Sequence, residues 1–214
     1  MAKTTLIFVR HGYSEGNEKK IFTGWYNVGL NEQGKKQAKL TAEYLKNYDI
    51  DRIYASDLKR AIETAQEICE IKNLKIETDS DLREINGGDW ENKPFDDLIK
   101  LYPKEYKVWL DDIGRARCVN GESVKELQKR VVRAVESIAK ENSAKTVCIV
   151  THATPIRVLT TYWLGKKIEH ASEIPYVPNS SITIVEYEGD KASIKVNGFA
   201  GHMGDLKTNL PVSV

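Results

Sequence analysis

The chain has 214 residues, and its 32 basic and 31 acidic side chains give a net charge of +1. This balance argues against nucleic acid or an anionic membrane surface as a general partner, so a few placed residues must supply any attraction to an anion. Hydrophobic residues make up 41% of the chain, which is enough for one domain over residues 1–214 with a sizeable core. No stretch approaches the roughly 18 apolar residues of a membrane span, and the N-terminus lacks a signal-peptide pattern. We therefore expect a cytoplasmic protein.

The three cysteines, Cys69, Cys118 and Cys148, lie far apart and show no metal-ligand spacing. Their odd number and wide separation predict free thiols in a reducing compartment. Cys148 lies within an apolar run, where we expect it to be a small buried side chain.

Strand-like and helix-like segments alternate along most of the chain. An apolar run over Leu6–Val9 predicts a buried strand that ends at Arg10-His11-Gly12. The other predicted strands span residues 52–55, 75–78, 146–150, 181–187 and 192–196, the last two forming a terminal hairpin. Helical periodicity covers residues 31–46, 57–70, 122–142 and 155–164, with Asn31 as the N-cap of the first helix.

This alternation predicts an α/β fold, a three-layer α/β/α sandwich with a largely parallel central sheet. The irregular, aromatic-rich stretch at about 82–121 is expected to form a mostly helical insertion that caps a site. In parallel sheets, ligands bind beyond the carboxyl ends of the strands. Three polar clusters follow predicted strands in this way: Arg10-His11, Ser56 with Arg60, and Thr151-His152.

The Arg10-His11-Gly12 tripeptide combines groups suited to phosphoryl chemistry. A histidine can act as a nucleophile, and an arginine presents a planar, charged fork that matches phosphate oxygens. Gly12 would let the backbone turn sharply and approach a ligand closely. Taken alone, the tripeptide is also compatible with a hydrogen-bonded histidine beside a surface arginine.

Several further motifs follow in a fixed order. They are Tyr13-Ser14-Glu15-Gly16-Asn17, Thr23-Gly24-Trp25, Leu30-Asn31-Glu32-Gln33-Gly34, Ala55-Ser56-Asp57-Leu58-Lys59-Arg60, Leu82-Arg83-Glu84, Trp90-Glu91, Gly121-Glu122-Ser123 and Val150-Thr151-His152. Together with Arg10-His11-Gly12, this ordered set resembles the histidine phosphatase superfamily, the phosphoglycerate-mutase-like proteins, over nearly the full chain.

The resemblance implies a role for each matching residue. His11 would take the phosphoryl group, and Glu84 would act as the general acid that protonates the leaving oxygen. Arg10, Arg60 and His152 would surround the phosphoryl group, whose charge spreads over three oxygens. The remaining expected phosphate or substrate contacts are Asn17, Ser14, Thr23, Gly24 and Ala153. No metal or cofactor is implied, because no carboxylates at metal-ligand spacing accompany the histidines.

The family contains phosphatases, which pass the phosphoryl group to water, and mutases, which pass it to another hydroxyl and need a bisphosphoglycerate primer. The mutases it resembles have paired arginines and a proline run in the insertion, whereas Arg115 and Arg117 are not adjacent here and no proline run follows. We therefore expect a phosphomonoesterase that hydrolyses small phosphorylated metabolites. A phosphoglycerate mutase and a non-catalytic binder of phosphorylated ligands remain as alternatives, and the sequence leaves the physiological phosphoester and the oligomeric state open.

Two positions depart from the family pattern. Ala153 follows His152 where glycine is usual, and its methyl group could narrow the pocket. Asn92 replaces the glycine that usually follows Trp90-Glu91. Asparagine tolerates a positive φ better than most residues, so we expect this second change to be accommodated.

Overall fold

The computed structural model describes residues 3–208, and its framework is a six-stranded mixed sheet with helices on both faces. The strands are β1 (Lys3–Arg10), β2 (Ile21–Phe22), β3 (Arg52–Ala55), β4 (Ile76–Thr78), β5 (Lys93–Pro94), β6 (Thr146–Thr151), β7 (Ile182–Glu188) and β8 (Lys191–Phe199). The α-helices are α1 (Glu15–Glu18), α2 (Glu32–Leu45), α3 (Lys59–Lys72), α4 (Phe95–Leu101), α5 (Pro103–Asp111), α6 (Val124–Glu141) and α7 (Ala153–Trp163). Short 3-10 helices span Ser80–Leu82, Gly88–Trp90, Ile113–Arg115, Ile168–Glu173 and Gly201–Leu206.

The strand order in the main sheet is β4-β3-β6-β1-β7-β8. The first four strands run parallel, whereas β7 is antiparallel to β1 and β8 is antiparallel to β7. The largely parallel sheet and the terminal hairpin were both predicted, and both are confirmed.

Strand β1 divides the core into two halves by the ordinary alternation of side chains along a strand. Leu6 and Phe8 pack on the side of α6 and α7, and Ile7 and Val9 pack on the side of α2 and α3. All four side chains are buried, which is why the strand appears in the sequence as a continuous apolar run. The predicted three-layer α/β/α arrangement is confirmed.

Helix α3 begins at Lys59, two residues later than predicted. The side chains of the two preceding polar residues bond elsewhere: the Asp57 carboxylate accepts hydrogen bonds from Arg83 at 2.5 and 2.6 Å, and the Ser56 hydroxyl contacts His152 at 2.8 Å. The N-cap residue is Leu58, which offers no capping side chain. Arg60 consequently lies in the first turn of the helix, close to the end of β3.

The stretch at about 82–121 is mostly helical, as predicted, and contains α4, α5 and 3-10 turns. Its strand β5 pairs antiparallel with β2 to form a separate two-stranded sheet. Aromatic contacts fasten it to the rest of the fold, with Phe22 lying 5.4 Å from Trp90 and 5.2 Å from Trp109 between ring centroids. Asn92 in this stretch has a φ of 59°, so the asparagine adopts the conformation for which glycine is usual and its expected accommodation is confirmed.

The three cysteines are free, as expected, and all three are buried, which was expected for Cys148. No helix within residues 3–208 has both the length and the apolar character needed to cross a membrane. The prediction of one domain over residues 1–214 extends to positions outside the described residues and stays a prediction.

Candidate active site

Three strand ends bring the predicted polar clusters together at one edge of the sheet. His11 follows β1, His152 follows β6, and the centroids of their rings lie 5.1 Å apart. Both histidines are buried, as are Arg10 and Arg60. A Cβ atom at Gly12 would lie 2.6 Å from the Gly34 carbonyl oxygen, so the close packing of α2 against this loop requires the glycine. The expectation that Gly12 also allows the close approach of a ligand stays a prediction.

The His11 ring is oriented by its own loop. Nδ1 lies 2.7 Å from the Gly12 carbonyl oxygen, and a carbonyl oxygen can only accept, so Nδ1 carries the proton. The neutral ring then has its lone pair on Nε2. Burial, followed by the charges of Arg60 and Arg10, holds the pKa of His11 well below its usual 6.5. His11 is thus a neutral imidazole with an available Nε2 near pH 7.

The two buried guanidinium groups are anchored at one end. Arg10 donates from Nη1 to the Val177 carbonyl oxygen at 2.7 Å, and Arg60 donates to the carbonyl oxygens of Gly24 at 2.7 Å and Tyr26 at 3.1 Å. The buried Nε atom of each has no hydrogen-bond partner among residues 3–208. Burial lowers the pKa of each arginine to about 10, so both remain charged near pH 7. A bound anion would satisfy both donors and neutralise both charges.

His152 contributes a third buried donor. Its Nε2 lies 2.8 Å from the Ser56 hydroxyl oxygen, which itself accepts from the Leu58 backbone at 3.3 Å. The hydroxyl can donate to Nε2, and in that tautomer the ring proton is on Nδ1. In the described part of the chain Nδ1 has no partner. Burial, with the charge of Arg60 next in size, holds the pKa of His152 well below 6.5.

Asn17 lines the pocket, and its amide has a fixed orientation. Its Oδ1 accepts from the Ser14 backbone at 3.0 Å, from the Ser14 hydroxyl at 3.0 Å and from Asn179 Nδ2 at 3.2 Å. The Asn17 Nδ2 therefore faces away from this cluster and can donate to a ligand. Ser14 is the N-cap of α1, and its hydroxyl is engaged with Asn17, so it supports the pocket from outside the lining.

Glu84 also lines this pocket. Its Oε1 accepts from the Ile85 backbone at 2.8 Å, and its Oε2 accepts from the Thr154 backbone, in the first turn of α7, at 3.3 Å. Ala153, the first residue of α7, is 8% exposed and also lines the pocket. The expectation that its methyl group narrows the pocket stays a prediction.

The pocket is lined on its remaining sides by mainly apolar side chains. Thr23 and Gly24 belong to the lining, as predicted, and the residues that sequence reasoning missed are Ile21, Ile85, Phe95, Trp109, Thr154 and Tyr176. Of four aromatics that the sequence leaves open between pocket wall and core, Phe22 lines the pocket, whereas Trp25, Trp90 and Tyr102 do not. Sequence motifs could not indicate the missed residues, because they come from separate elements that only the fold brings together.

Within residues 3–208, no group of three or more His, Cys, Asp or Glu side chains is arranged to hold a metal ion. The positive charge around His11 comes from Arg10, which lines the pocket, and from Arg60, which is buried outside the lining. The chemistry of this set of donors suits a phosphate, which takes hydrogen bonds on several oxygens.

Comparisons with known proteins agree with this geometry. The family model described as histidine phosphatase superfamily, branch 1, matches residues 6–198. Phosphoserine phosphatase 1 of Hydrogenobacter thermophilus is 32% identical over 94% of this chain and 95% of its own. Phosphoglycerate mutase-like protein 4 of Arabidopsis thaliana is 32% identical over 92% of this chain and 86% of its own. The solved structure of Bacillus stearothermophilus YhfR superposes with a TM-score of 0.90, is 30% identical, and covers 94% of this chain and 99% of that one.

The chain belongs to the histidine phosphatase superfamily, branch 1. The predicted family is thereby confirmed, and so is the predicted enzyme class, a histidine phosphatase-like phosphomonoesterase. The mutase alternative is represented among the relatives as well.

Proposed function

We propose that this chain hydrolyses small phosphomonoesters through a covalent phosphohistidine on His11, without a metal ion. The main support is the arrangement of buried groups around the His11 ring. A neutral imidazole with its lone pair on Nε2 lies among buried donors of Arg10, Arg60 and His152 that have no partner within the described chain. Such donors stabilise the charge that spreads over the oxygens of a transferring phosphoryl group.

In the first step, Nε2 of His11 forms a bond to phosphorus while the bond from phosphorus to the alcohol oxygen breaks. The ring becomes cationic, and its Nδ1–H bond to the Gly12 carbonyl strengthens as it does so. A protonated Glu84 gives its proton to the leaving oxygen, which is needed most when that oxygen would otherwise leave as an alkoxide.

In the second step, a water molecule attacks the phosphorus atom and the bond from phosphorus to Nε2 breaks. The Glu84 carboxylate takes a proton from that water, which restores its acid form and the neutral His11 ring. The products are inorganic phosphate and the alcohol, and no other reactant is consumed.

The lining of the pocket favours hydrolysis over a mutase reaction. A mutase must hold a glycerate carboxylate and a second phosphate, which need additional cations. Of the described residues that line the pocket, Arg10 is the one arginine or lysine, and it belongs to the phosphate end. The remainder of the lining is largely apolar, and its large side chains are Phe22, Phe95, Trp109 and Tyr176. This apolar wall suits an uncharged leaving group, which departs before a water molecule enters the pocket.

The test follows inorganic phosphate and phosphoglycerate isomers together by ³¹P NMR, with and without added bisphosphoglycerate and with EDTA present. We expect phosphate release from simple phosphomonoesters without the primer. His11→Ala should abolish this release, and His170→Ala, at an exposed histidine, should not. Primer-dependent isomerisation that outruns phosphate release would indicate a mutase. A chain that binds phosphate but gives no turnover would indicate a binding protein.

A further inference from the structure

The loop that carries Glu84 is held in place by hydrogen bonds from one arginine of α6. Arg130 donates from Nη1 to the carbonyl oxygens of Asp81 at 2.8 Å and Arg83 at 2.9 Å. It donates from Nη2 to the carbonyl oxygen of Glu84 at 2.7 Å. Two more bonds, both of 2.8 Å, join Nε and Nη2 to the Glu122 carboxylate. These five bonds match the five N–H donors of a guanidinium group.

The Arg130–Glu122 pair is largely enclosed, with side-chain exposures of 12% and 13%. Glu122 also accepts from the Asn86 backbone at 3.2 Å, so the pair holds the loop on both sides of Glu84. An enclosed ion pair that is fully hydrogen-bonded has a defined geometry, and removal of one partner leaves the other charge uncompensated.

Two other bonds complete the support of this loop. The Thr151 hydroxyl donates to the Leu82 carbonyl oxygen at 2.7 Å, and the Trp25 indole donates to the Glu84 carbonyl oxygen at 2.7 Å. With Arg130, every carbonyl from residue 81 to residue 84 accepts a side-chain hydrogen bond. Thr151 directly precedes His152, so the same bonds fix the loop relative to the phosphate end of the pocket.

We propose that Arg130 is a positioning residue, which holds the Glu84 carboxyl group at the leaving oxygen. This inference rests on the proposed function of Glu84 as the general acid. A displacement of about 1 Å can cost roughly 10²-fold in rate, so loss of three carbonyl bonds at this loop should weaken proton transfer. Lysine would keep the positive charge but cannot reproduce the planar fork that reaches three carbonyls and a carboxylate.

The chain offers a matched control on the same helix. Arg133 lies one turn after Arg130 and pairs with the Asp81 carboxylate at 2.5 Å, but its side chain is 69% exposed and makes no bond to the loop carbonyls. Arg133→Lys should therefore leave the placement of Glu84 unchanged. Any general effect of altering an arginine of α6 would appear in both variants.

The experiment measures kcat/KM for an alkyl phosphate and for a nitrophenyl phosphate with each variant. This quantity reports the steps through phosphorylation, and the ratio for two substrates on one sample is independent of the fraction of folded enzyme. A nitrophenolate leaves without a proton, so Glu84→Gln should lose roughly 10²-fold or more with the alkyl substrate and far less with the aryl one. Arg130→Lys should also lower kcat/KM selectively for the alkyl phosphate, by about 10-fold or more. Arg133→Lys should show no such selectivity.

The double variant Glu84→Gln with Arg130→Lys should be no more selective than Glu84→Gln alone, because no acid remains to be positioned. Arg130→Lys could lower kcat/KM equally for both substrates while Glu84→Gln lowers it mainly for the alkyl phosphate. That result would overturn the positioning role of Arg130 and leave the proposed function intact. Equal losses in Glu84→Gln itself would overturn the acid assignment and the inference with it.

Discussion

The His11 side chain gains its reactivity from neighbours that act in the same direction. The Gly12 carbonyl fixes the proton on Nδ1, and burial together with Arg60 and Arg10 keeps the ring neutral. A neutral ring with a free Nε2 is the form that can attack phosphorus. In the proposed mechanism, the arginines that hold the phosphoryl group therefore also keep the nucleophile in its reactive state.

Asn179 is a second residue whose effect passes through a neighbour. Its buried Nδ2 donates to the His11 carbonyl oxygen at 3.1 Å and to Asn17 Oδ1 at 3.2 Å, and its Oδ1 accepts from Thr208 at 3.2 Å. It therefore orients the Asn17 amide towards the pocket. The sequence could not indicate this contact, because His11 and Asn17 lie more than 160 residues away from Asn179 along the chain.

Asn179→Asp is expected to raise KM, because a carboxylate oxygen would face the carbonyl oxygen of Asn17 and turn its amide. Loss of a supporting hydrogen bond of this kind typically costs about 1–3 kcal/mol, which corresponds to roughly 5- to 150-fold. The measurement is KM, with the inhibition constant of inorganic phosphate as a second readout. Asn197→Asp, at an exposed position of β8, serves as the control. If Asn179→Asp costs as much in an Asn17→Ala background as in the wild type, it does not act through Asn17.

At the scale of elements, segments with a clear strand or helix pattern were predictable, and the very short segments without such a pattern were not. Strand β3 was predicted at its observed bounds because its residue pattern is that of a strand. Helix α6 was predicted within two residues at its start and one at its end, because apolar spacing and capping residues define its ends. Helix α1 and strands β2 and β5 have four and two residues, which is too short for a periodic pattern. Their positions depend on contacts with distant parts of the chain.

The candidate site divides in the same way. Side chains that follow a predicted strand or fall in a recognisable motif were predictable, as for His11, Arg60 and His152. The apolar wall was not predictable, because Phe95 and Trp109 come from an insertion with no distinctive motif and pack against Phe22, which is distant in sequence. Arg130 lies in an ordinary amphipathic helix, where its sequence pattern is that of a solvated face.

At the scale of the whole molecule, the net charge is near zero, but the interior contains buried charged side chains. Arg10 and Arg60 are buried and charged, and two buried histidines beside them are kept neutral. Keeping these histidines neutral has a consequence for stability. The unfolded chain takes up protons at His11 and His152 near the ordinary pKa of 6.5, whereas the folded chain does so only at lower pH.

We therefore expect the free energy of unfolding to fall as the pH drops below about 6.5. Each histidine contributes at most about 1.4 kcal/mol per pH unit. Carboxylates with lowered pKa values, such as Glu126 and Glu186, reduce the free energy of unfolding only when the pH falls below their ordinary pKa of 4.5. The window from pH 5 to 6.5 thus isolates the histidines.

Urea denaturation across this window provides the measurement. His152→Gln should reduce the slope of the unfolding free energy against pH, whatever its effect on the absolute stability. An unchanged slope in this variant would mean that His152 already takes up its proton in the folded chain at these pH values. The comparison should be made without phosphate in the buffer, because an anion bound at the pocket would stabilise the protonated rings.

The most direct test of the whole account is the identity of the covalent intermediate. The enzyme is mixed with a ³²P-labelled phosphomonoester, quenched within milliseconds in alkali, and the label is located by mass spectrometry and by NMR of the modified ring. We expect one acid-labile phosphoryl group on Nε2 of His11, formed before phosphate release and absent in His11→Ala. Label on Nδ1, on His152 or on another residue, or continued turnover in His11→Ala, would contradict it.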